Sequence, residues 1–265
     1  MLRERRLNGI PAIDVPTVQR FMAEKRKLEL PAQEGEAEYR LRRKEIDKSL
    51  LRETTSFMLE NCIYPYSVHL PAYQLGDGET ASDVIKAIDT IIEAVDPALF
   101  VLHVSKPPLL KWGSEVRDIL RNLPPDRTIA LENVGVDGDK MRFPDRVGPV
   151  LSAIGDPPDN LGFCLDITHV VPRNPNRGTI GEKEAEIFST ILAFMDAMGS
   201  RLRHMHLSNT RYEGTKRLQH LPFDEGVLDI ARIKTELSVR GFGGKCVLEF
   251  AHCRVADGIE AWNRS

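Results

Sequence analysis

The four cysteines, Cys62, Cys164, Cys246 and Cys253, include no CxxC pair, which removes the commonest zinc-finger and redox spacings. At least two lie inside apolar runs, so reduced, buried thiols are expected. No apolar run approaches the ~18 residues of a membrane span. The opening Met-Leu-Arg-Glu-Arg-Arg leads into no apolar stretch and no small-residue cleavage site, so the expectation is a soluble, cytoplasmic protein with no membrane partner. Basic charge is not in excess either, with 36 Lys and Arg against 39 Asp and Glu. The basic domain or stripe that marks nucleic-acid binding is therefore missing. One local exception, Arg40 to Arg52, interleaves its cations with Glu45 and Asp47 and reads as a solvated helix face. No strand is followed by GxGxxG or by a P-loop glycine run, which excludes the phosphate cradles of nucleotide-binding open sheets. There is no internal repeat beyond a strand-helix unit, no low-complexity tract and no linker.

What the chain does have is alternation. The short apolar runs YSVHLP (66–71), LFVLHVS (99–105), TIALENV (128–134), LGFCLDITHV (161–170), LRHMHLSN (202–209) and KCVLEF (245–250) suit strands buried on both faces. Between them lie amphipathic stretches such as 81–96 and 182–198, with apolar residues three and four apart. Strand and helix in this order demand parallel pairing with crossover helices. Upstream, 16–27 reads as a helix, 27–31 as a short strand and Glu34 to Glu60 as a long charged helix. A weak, divergent first strand near Leu7 to Val15 brings the strand count to eight. The expected architecture is a single (β/α)8 barrel domain over residues 1–265, a length ordinary for that fold.

In such a barrel the chemistry sits at the C-terminal ends of the strands. There the sequence places His69, His103, Glu132, Asp166, His169, His206 and Glu249, with His220 in a following loop. Any one of these histidines alone would read as an ordinary core or surface residue. The chain has only seven, and four of them close consecutive strands or their next turn. Buried carboxylates at Glu132, Asp166 and Glu249 would each cost several kcal/mol unless paired or metal-bound. With no Lys or Arg at a matching strand end, a metal cation is the expected partner.

The succession VHLP, LHVS, LENV, CLDITH, HMHLSN, HLPFDEGVLD and VLEF resembles the xylose isomerase-like barrel superfamily, which holds sugar-phosphate isomerases and epimerases alongside endonuclease IV. The resemblance runs from about Tyr66 to Phe250. It implies that Glu132, Asp166, His206 and Glu249 hold one tight divalent ion. His69 and His103, with Glu132 bridging, resemble ligands of a second ion in the nuclease branch. His169 and His220 resemble either ligands of a further ion there or substrate-binding histidines in the isomerase branch. One departure matters: the nuclease branch carries an Asp two residues before the match to His220, and here that residue is Leu218. The nuclease branch's opening motif is also missing from LNGIPAIDV.

Mixed imidazole and carboxylate ligands suit Zn²⁺ or Mn²⁺ without selecting sharply. The favoured function is a sugar or sugar-phosphate isomerase or epimerase. Glu132 or Glu249 would move the proton, with His169 a further catalytic residue; His220 would meet substrate, and Arg211 and Lys216 would meet a substrate phosphate or hydroxyl. The alternative is a metal-dependent phosphodiesterase acting on DNA or a small ester, with Tyr73 stacking on a base. A third reading is a binding barrel that has lost its chemistry, which the full ligand set argues against.

Overall fold

The computed structural model describes residues 9–14, 35–41, 44–60, 63–75, 77–104, 109–133, 141, 143–171, 180–213 and 216–249. The weak first strand is present as β1 (Gly9–Asp14). The segment after it departs from the sequence expectation. Residues Gly35–Arg40 form strand β2, and the helix α1 covers only Lys48–Glu60. Ala37 and Tyr39 are fully buried two residues apart, in alternation with Glu36, Glu38 and Arg40. That period of two pairs with β1 on one side and with the next strand on the other, and the ladder outweighs the helix preference of Glu and Arg. The expected elements at 16–27 and 27–31 lie outside the described residues.

From there the chain alternates as its apolar runs require: β3 (Ile63–His69), α2 (Ala81–Ala94), β4 (Leu99–His103), α3 (Leu109–Asn122), β5 (Thr128–Glu132), α4 (Val147–Ile154), β6 (Leu161–Asp166), a single turn α5 (Ile167–Val170), α6 (Ile180–Met198) and β7 (Leu202–Leu207). An antiparallel hairpin follows, β8 (Asn209–Glu213) and β9 (Lys216–Leu221), and then α7 (Ile230–Val239) and β10 (Lys245–Leu248). Helix α2 starts on a capping device: the Thr80 backbone N–H donates to Asp83 Oδ2 at 2.9 Å.

Eight parallel strands close on themselves in the order β1-β2-β3-β4-β5-β6-β7-β10, with β10 returning to β1. The fold is a (β/α)8 TIM barrel. Register places the polar strand ends at a common level: Arg40 pairs with His69, His103 with Glu132, and Asp166 with His206.

Alternate strand residues divide between two cores. Phe100, Leu102, Ile129, Leu131, Phe163, Leu165, Met205 and Leu207 pack with helix residues such as Trp112, Val116, Ile191 and Phe194 in one continuous apolar shell. Inside the barrel the apolar cluster is small: Leu99, Val101, Ala130 and Cys164, with Tyr66 against them. Cys164 and Cys246 are free and buried, as expected of both; Cys62 and Cys253 lie outside the described residues. No helix among the described residues is long and apolar enough to cross a membrane.

Candidate metal centre

Glu132, at the end of β5, is the hub of the barrel mouth. Its Oε2 faces His103 Nε2 at 2.6 Å and His69 Nε2 at 3.1 Å, and its Oε1 faces His206 Nδ1 at 2.7 Å. His206 Nδ1 also lies 3.3 Å from Glu249 Oε2. Ligand-type atoms of Asp166, His206 and Glu249 lie within 4.8 Å of one another, as do those of His69, His103 and Glu132 and those of Glu132, Asp166 and His169. The structure thus brings together Glu132, Asp166, His206 and Glu249, with His69 and His103 sharing Glu132 on one side and His169 beside Asp166. His220 reaches the same place from the β9 strand rather than from a loop. Its Nδ1 is 3.1 Å from Glu249 Oε1, and its backbone is held at a φ of 57°, a left-handed conformation unusual for a residue with a Cβ.

The imidazole protons are set by backbone carbonyls. His69 Nδ1–H donates to Leu70 O at 2.9 Å, and His169 Nδ1–H donates to Asn133 O at 2.6 Å. In neutral His69 the Nε2 lone pair then points at a carboxylate oxygen of Glu132. Burial, outweighing the attraction of Glu132, holds His69 below its usual 6.5 and so keeps it neutral. A lone pair aimed at a carboxylate is repulsive unless a cation lies between them, and a carbonyl fixing the far nitrogen is the usual support of a metal-bound imidazole.

Asn133 and Thr168 build the rigid corner. The Asn133 side chain donates to Asp166 O at 3.0 Å and accepts from Asp166 N at 2.7 Å, extending the β5–β6 ladder by one side chain. Asp166 Oδ1 accepts from the Thr168 N–H at 2.7 Å and hydroxyl at 2.8 Å, capping α5. Its Oδ2, 3.3 Å from His169 Nε2, is left for the mouth. Burial raises the pKa of Asp166, but His169, ahead of His220 and His206, brings it below 3.8. His169 is opposed by burial and raised above 6.5 by Asp166. Deeper down, Asn209 ties the hairpin to the following loop, donating to Phe223 O at 2.7 Å and accepting from Leu228 N at 2.9 Å. Gly226 sits against it so closely that a Cβ would fall 2.2 Å from Asn209 Oδ1.

Three titratable participants are not legible in the sequence, Arg40 and Glu38 because the composition of β2 is that of a helix, and His204 because it lies inside its strand rather than at the end. Arg40, at the end of β2, forms an ion pair with Glu249. This corrects the expectation that no Lys or Arg stands at a strand end. Glu38, two residues earlier, is fully buried and accepts from His204 Nε2 at 2.7 Å and Ser67 Oγ at 3.1 Å. The alternation of Ala37 and Tyr39 within the charged run was the available signal. Glu38, Glu132, Asp166 and Glu249 are the buried acidic residues among those described. One guanidinium does not balance four carboxylates, so further positive charge has to come from the raised imidazoles of His206 and His169 or from a bound cation.

The remaining candidates have other surroundings. Tyr73 is 3% exposed within the outer core, where burial pushes its hydroxyl up to about 12; its ring is not available to stack on a base. Arg211 lies in the hairpin, 3.0 Å from Glu213 and 3.8 Å from Glu225. The Lys216 side chain lies outside the described residues. Leu218 spends its carbonyl on the Thr210 hydroxyl at 2.5 Å and offers no ligand atom.

With this geometry in view, the comparisons with known proteins are informative. A direct comparison with curated proteins finds no match. Among solved structures, a D-tagatose 3-epimerase-like protein is similar with a TM-score of 0.66 and 15% identity, covering 96% of this chain and 94% of that one. Endonuclease IV from Thermus thermophilus is similar at 0.62 and 12%, covering 97% and 99%. A xylose isomerase-like TIM barrel protein from Mycobacterium smegmatis in complex with magnesium is similar at 0.65 and 12%, covering 100% and 97%. At these identities the likeness is one of fold. The family model described as xylose isomerase-like TIM barrel matches residues 38–265, from the buried Glu38 through every strand-end ligand candidate, and the chain belongs to that family.

Proposed function

We propose that this protein is a divalent-metal-dependent isomerase or epimerase of a sugar or sugar phosphate, with Glu132, Asp166, His206 and Glu249 as the ligands of one tight ion of the Zn²⁺ or Mn²⁺ class. The observation that carries the reading is the convergence of two separate carboxylates, Glu132 and Glu249, on the single nitrogen His206 Nδ1 at 2.7 and 3.3 Å. Glu249 Oε2 is buried and makes no hydrogen bond, and such an atom is expensive unless a cation or proton completes it. The donors therefore fit the group. His69 and His103, sharing Glu132, supply a second, weaker position.

When bound, the ion supplies Lewis acidity that stabilises negative charge on a carbonyl oxygen. Glu132 is opposed by burial, yet His206, His103 and His69 hold it well below 4.5, so it stands ionised and ready to accept a proton from the carbon beside that carbonyl. For epimerisation a proton is returned on the opposite face through Glu249, which first takes it from solvent while Glu132 later releases its own to solvent; for isomerisation Glu132 itself hands the proton to the neighbouring carbon. Arg40 and His220, both against Glu249, orient that carboxylate and face substrate oxygens as donors. His169, raised above its usual pKa, donates to a substrate oxygen from the other side.

The pairing of His69 and His103 on Glu132 favours a second reading, phosphodiester hydrolysis by two ions, and Leu218 counts against it. The test is elemental analysis of purified protein, followed by incubation of the metal-loaded enzyme with ketoses and ketose phosphates in D₂O and, separately, with an abasic-site oligonucleotide. The expected result is about one divalent ion per chain and deuterium at the carbon beside the carbonyl. Strand cleavage without deuterium incorporation moves the function to the nuclease. Protein that binds no divalent ion leaves a non-catalytic binding barrel.

A further inference from the structure

Beneath the proposed metal ligands, the barrel interior holds a polar group that no step of the proposed reaction uses. Glu38 is 0% exposed. Its carboxylate accepts from Ser67 Oγ at 3.1 Å and His204 Nε2 at 2.7 Å, and it lies 3.1 Å (Oε1) and 3.3 Å (Oε2) from His206 Nε2. It makes no ion pair with a Lys or Arg among the described residues. His204 Nδ1 has no hydrogen-bond partner, although it is buried. A network with an unsatisfied nitrogen, built around a carboxylate removed from water, is a poor device for stability, because apolar residues of the same volume would serve better.

We infer that Glu38 is a positioning residue for His206, fixing the tautomer in which Nδ1 is the metal-binding atom. The inference rests on the metal-dependent reading above. A neutral imidazole carries one proton. With Glu38 against Nε2, that proton sits on Nε2 and is donated to the carboxylate, leaving the Nδ1 lone pair aimed at the space between Glu132, Asp166 and Glu249. The other tautomer would turn an Nε2 lone pair onto a buried anion, which is repulsive. Ser67 and His204 hold Glu38 itself in place, His204 by donating its own Nε2–H, which accounts for the bare Nδ1. The negative charge on Glu38 also makes His206 a stronger donor to a cation, as carboxylate partners of metal-bound imidazoles do. Strand β2 thus reaches the metal centre at one remove, through a residue that never contacts substrate.

The test uses the full chain stripped of metal and titrated with Co²⁺ against a chromophoric chelator, with the visible spectrum of the bound ion recorded. Thermal unfolding of the metal-free protein and long-range proton–nitrogen NMR of the imidazoles in the Zn²⁺-loaded protein accompany it. Glu38→Gln is expected to lower Co²⁺ affinity by about 10–100-fold, to alter the visible spectrum and to mix the tautomers of His206. The metal-free unfolding midpoint should fall, because Glu38 helps hold the charged form of His206 there, but the loss of Co²⁺ affinity per folded molecule should exceed what that fall accounts for, which a merely structural role would not produce. If Glu38→Gln does not fold, Glu38→Asp, which keeps the charge and withdraws it by one methylene, should show a smaller loss of affinity with the same spectral change. The inference alone is overturned if the variant binds Co²⁺ like the wild type, or loses affinity only in step with a lowered midpoint. Wild-type protein that takes up no Co²⁺ overturns the metal-dependent reading itself and the inference with it.

Discussion

The two faces of the same strands have opposite chemistry. Outward, Phe100, Ile129, Phe163 and Met205 join helix residues in a shell of fully buried apolar side chains. Inward, four apolar residues are followed by Glu38, Ser67, His204, His69, Glu132 and His206. The shell has what burial of apolar area provides, roughly 25 cal/mol for each Å² removed from water. The interior spends part of that stability on four buried carboxylates and on orphaned atoms such as Glu38 Oε1 and Glu249 Oε2, a cost that folding does not require. A sharp division of labour follows: outer substitutions should change how much protein is folded, inner ones what the folded protein does.

The largest effect should come from the hub. Glu132→Gln preserves shape, removes the charge shared by His69, His103 and His206, and removes the proposed base. The expected outcome is a loss of about 10²–10⁴ in kcat with weakened metal uptake, and circular dichroism like that of the wild type. Retained activity in the metal-loaded variant would remove Glu132 from the chemistry. The complementary change is Phe194→Ala in α6, a fully buried ring of the shell. It should cost about 3–5 kcal/mol of unfolding free energy, measured by urea denaturation. Metal stoichiometry and kcat, counted per folded molecule, should remain those of the wild type. A comparable fall in kcat would mean that the two faces are not separable.

How far the sequence reveals this division depends on which signal each region carries. Runs such as LFVLH and LGFCLD are legible because they are apolar on both faces, and the polar residue closing each run stands out against them. Hence the strand ends at His103, Glu132, Asp166 and His206 could be named together with the barrel. GEAEYR carries the opposite signal. Its inward face is charged, so only Ala37 and Tyr39 mark it as a strand, and strong helix formers on either side mask that period. Losing β2 meant losing Glu38 and Arg40. Asn133 lay in plain view in the LENV motif, but its role depends on a partner 33 residues away, a distance at which spacing says nothing. Tyr73 is hidden for a different reason: an aromatic in a loop gives no indication in sequence of whether the loop folds back into the core.

The smallest expected effect is the most direct probe of the inner face, because it changes no residue. His206 is fully buried; burial opposes its charge, but Cys164, Glu38 and Glu132 hold it well above 6.5. Without metal, the ring therefore keeps its second proton to a higher pH than a free imidazole does. Its folded pKa is raised above the unfolded value, so its contribution to metal-free stability is fully present below about 6.5 and fades as pH rises through the folded pKa. Metal binding runs the other way, since Nδ1 must lose its proton before it can hold an ion. Glu132 and Glu38 stay ionised throughout, both being held well below 4.5 against the opposing effect of burial, and neutral His69 has no proton to release. The window is therefore set by the raised histidines: His206 as a ligand and, more weakly, His169 through its attraction to Asp166. Apparent affinity for Zn²⁺ or Mn²⁺, measured by chelator competition between pH 6 and 8, should rise with pH by up to about tenfold per unit, the limiting slope of one displaced proton. Phe194→Ala should leave that slope untouched. An affinity independent of pH across this range would mean that no imidazole proton is exchanged for the ion, and would remove His206 from the ligand set.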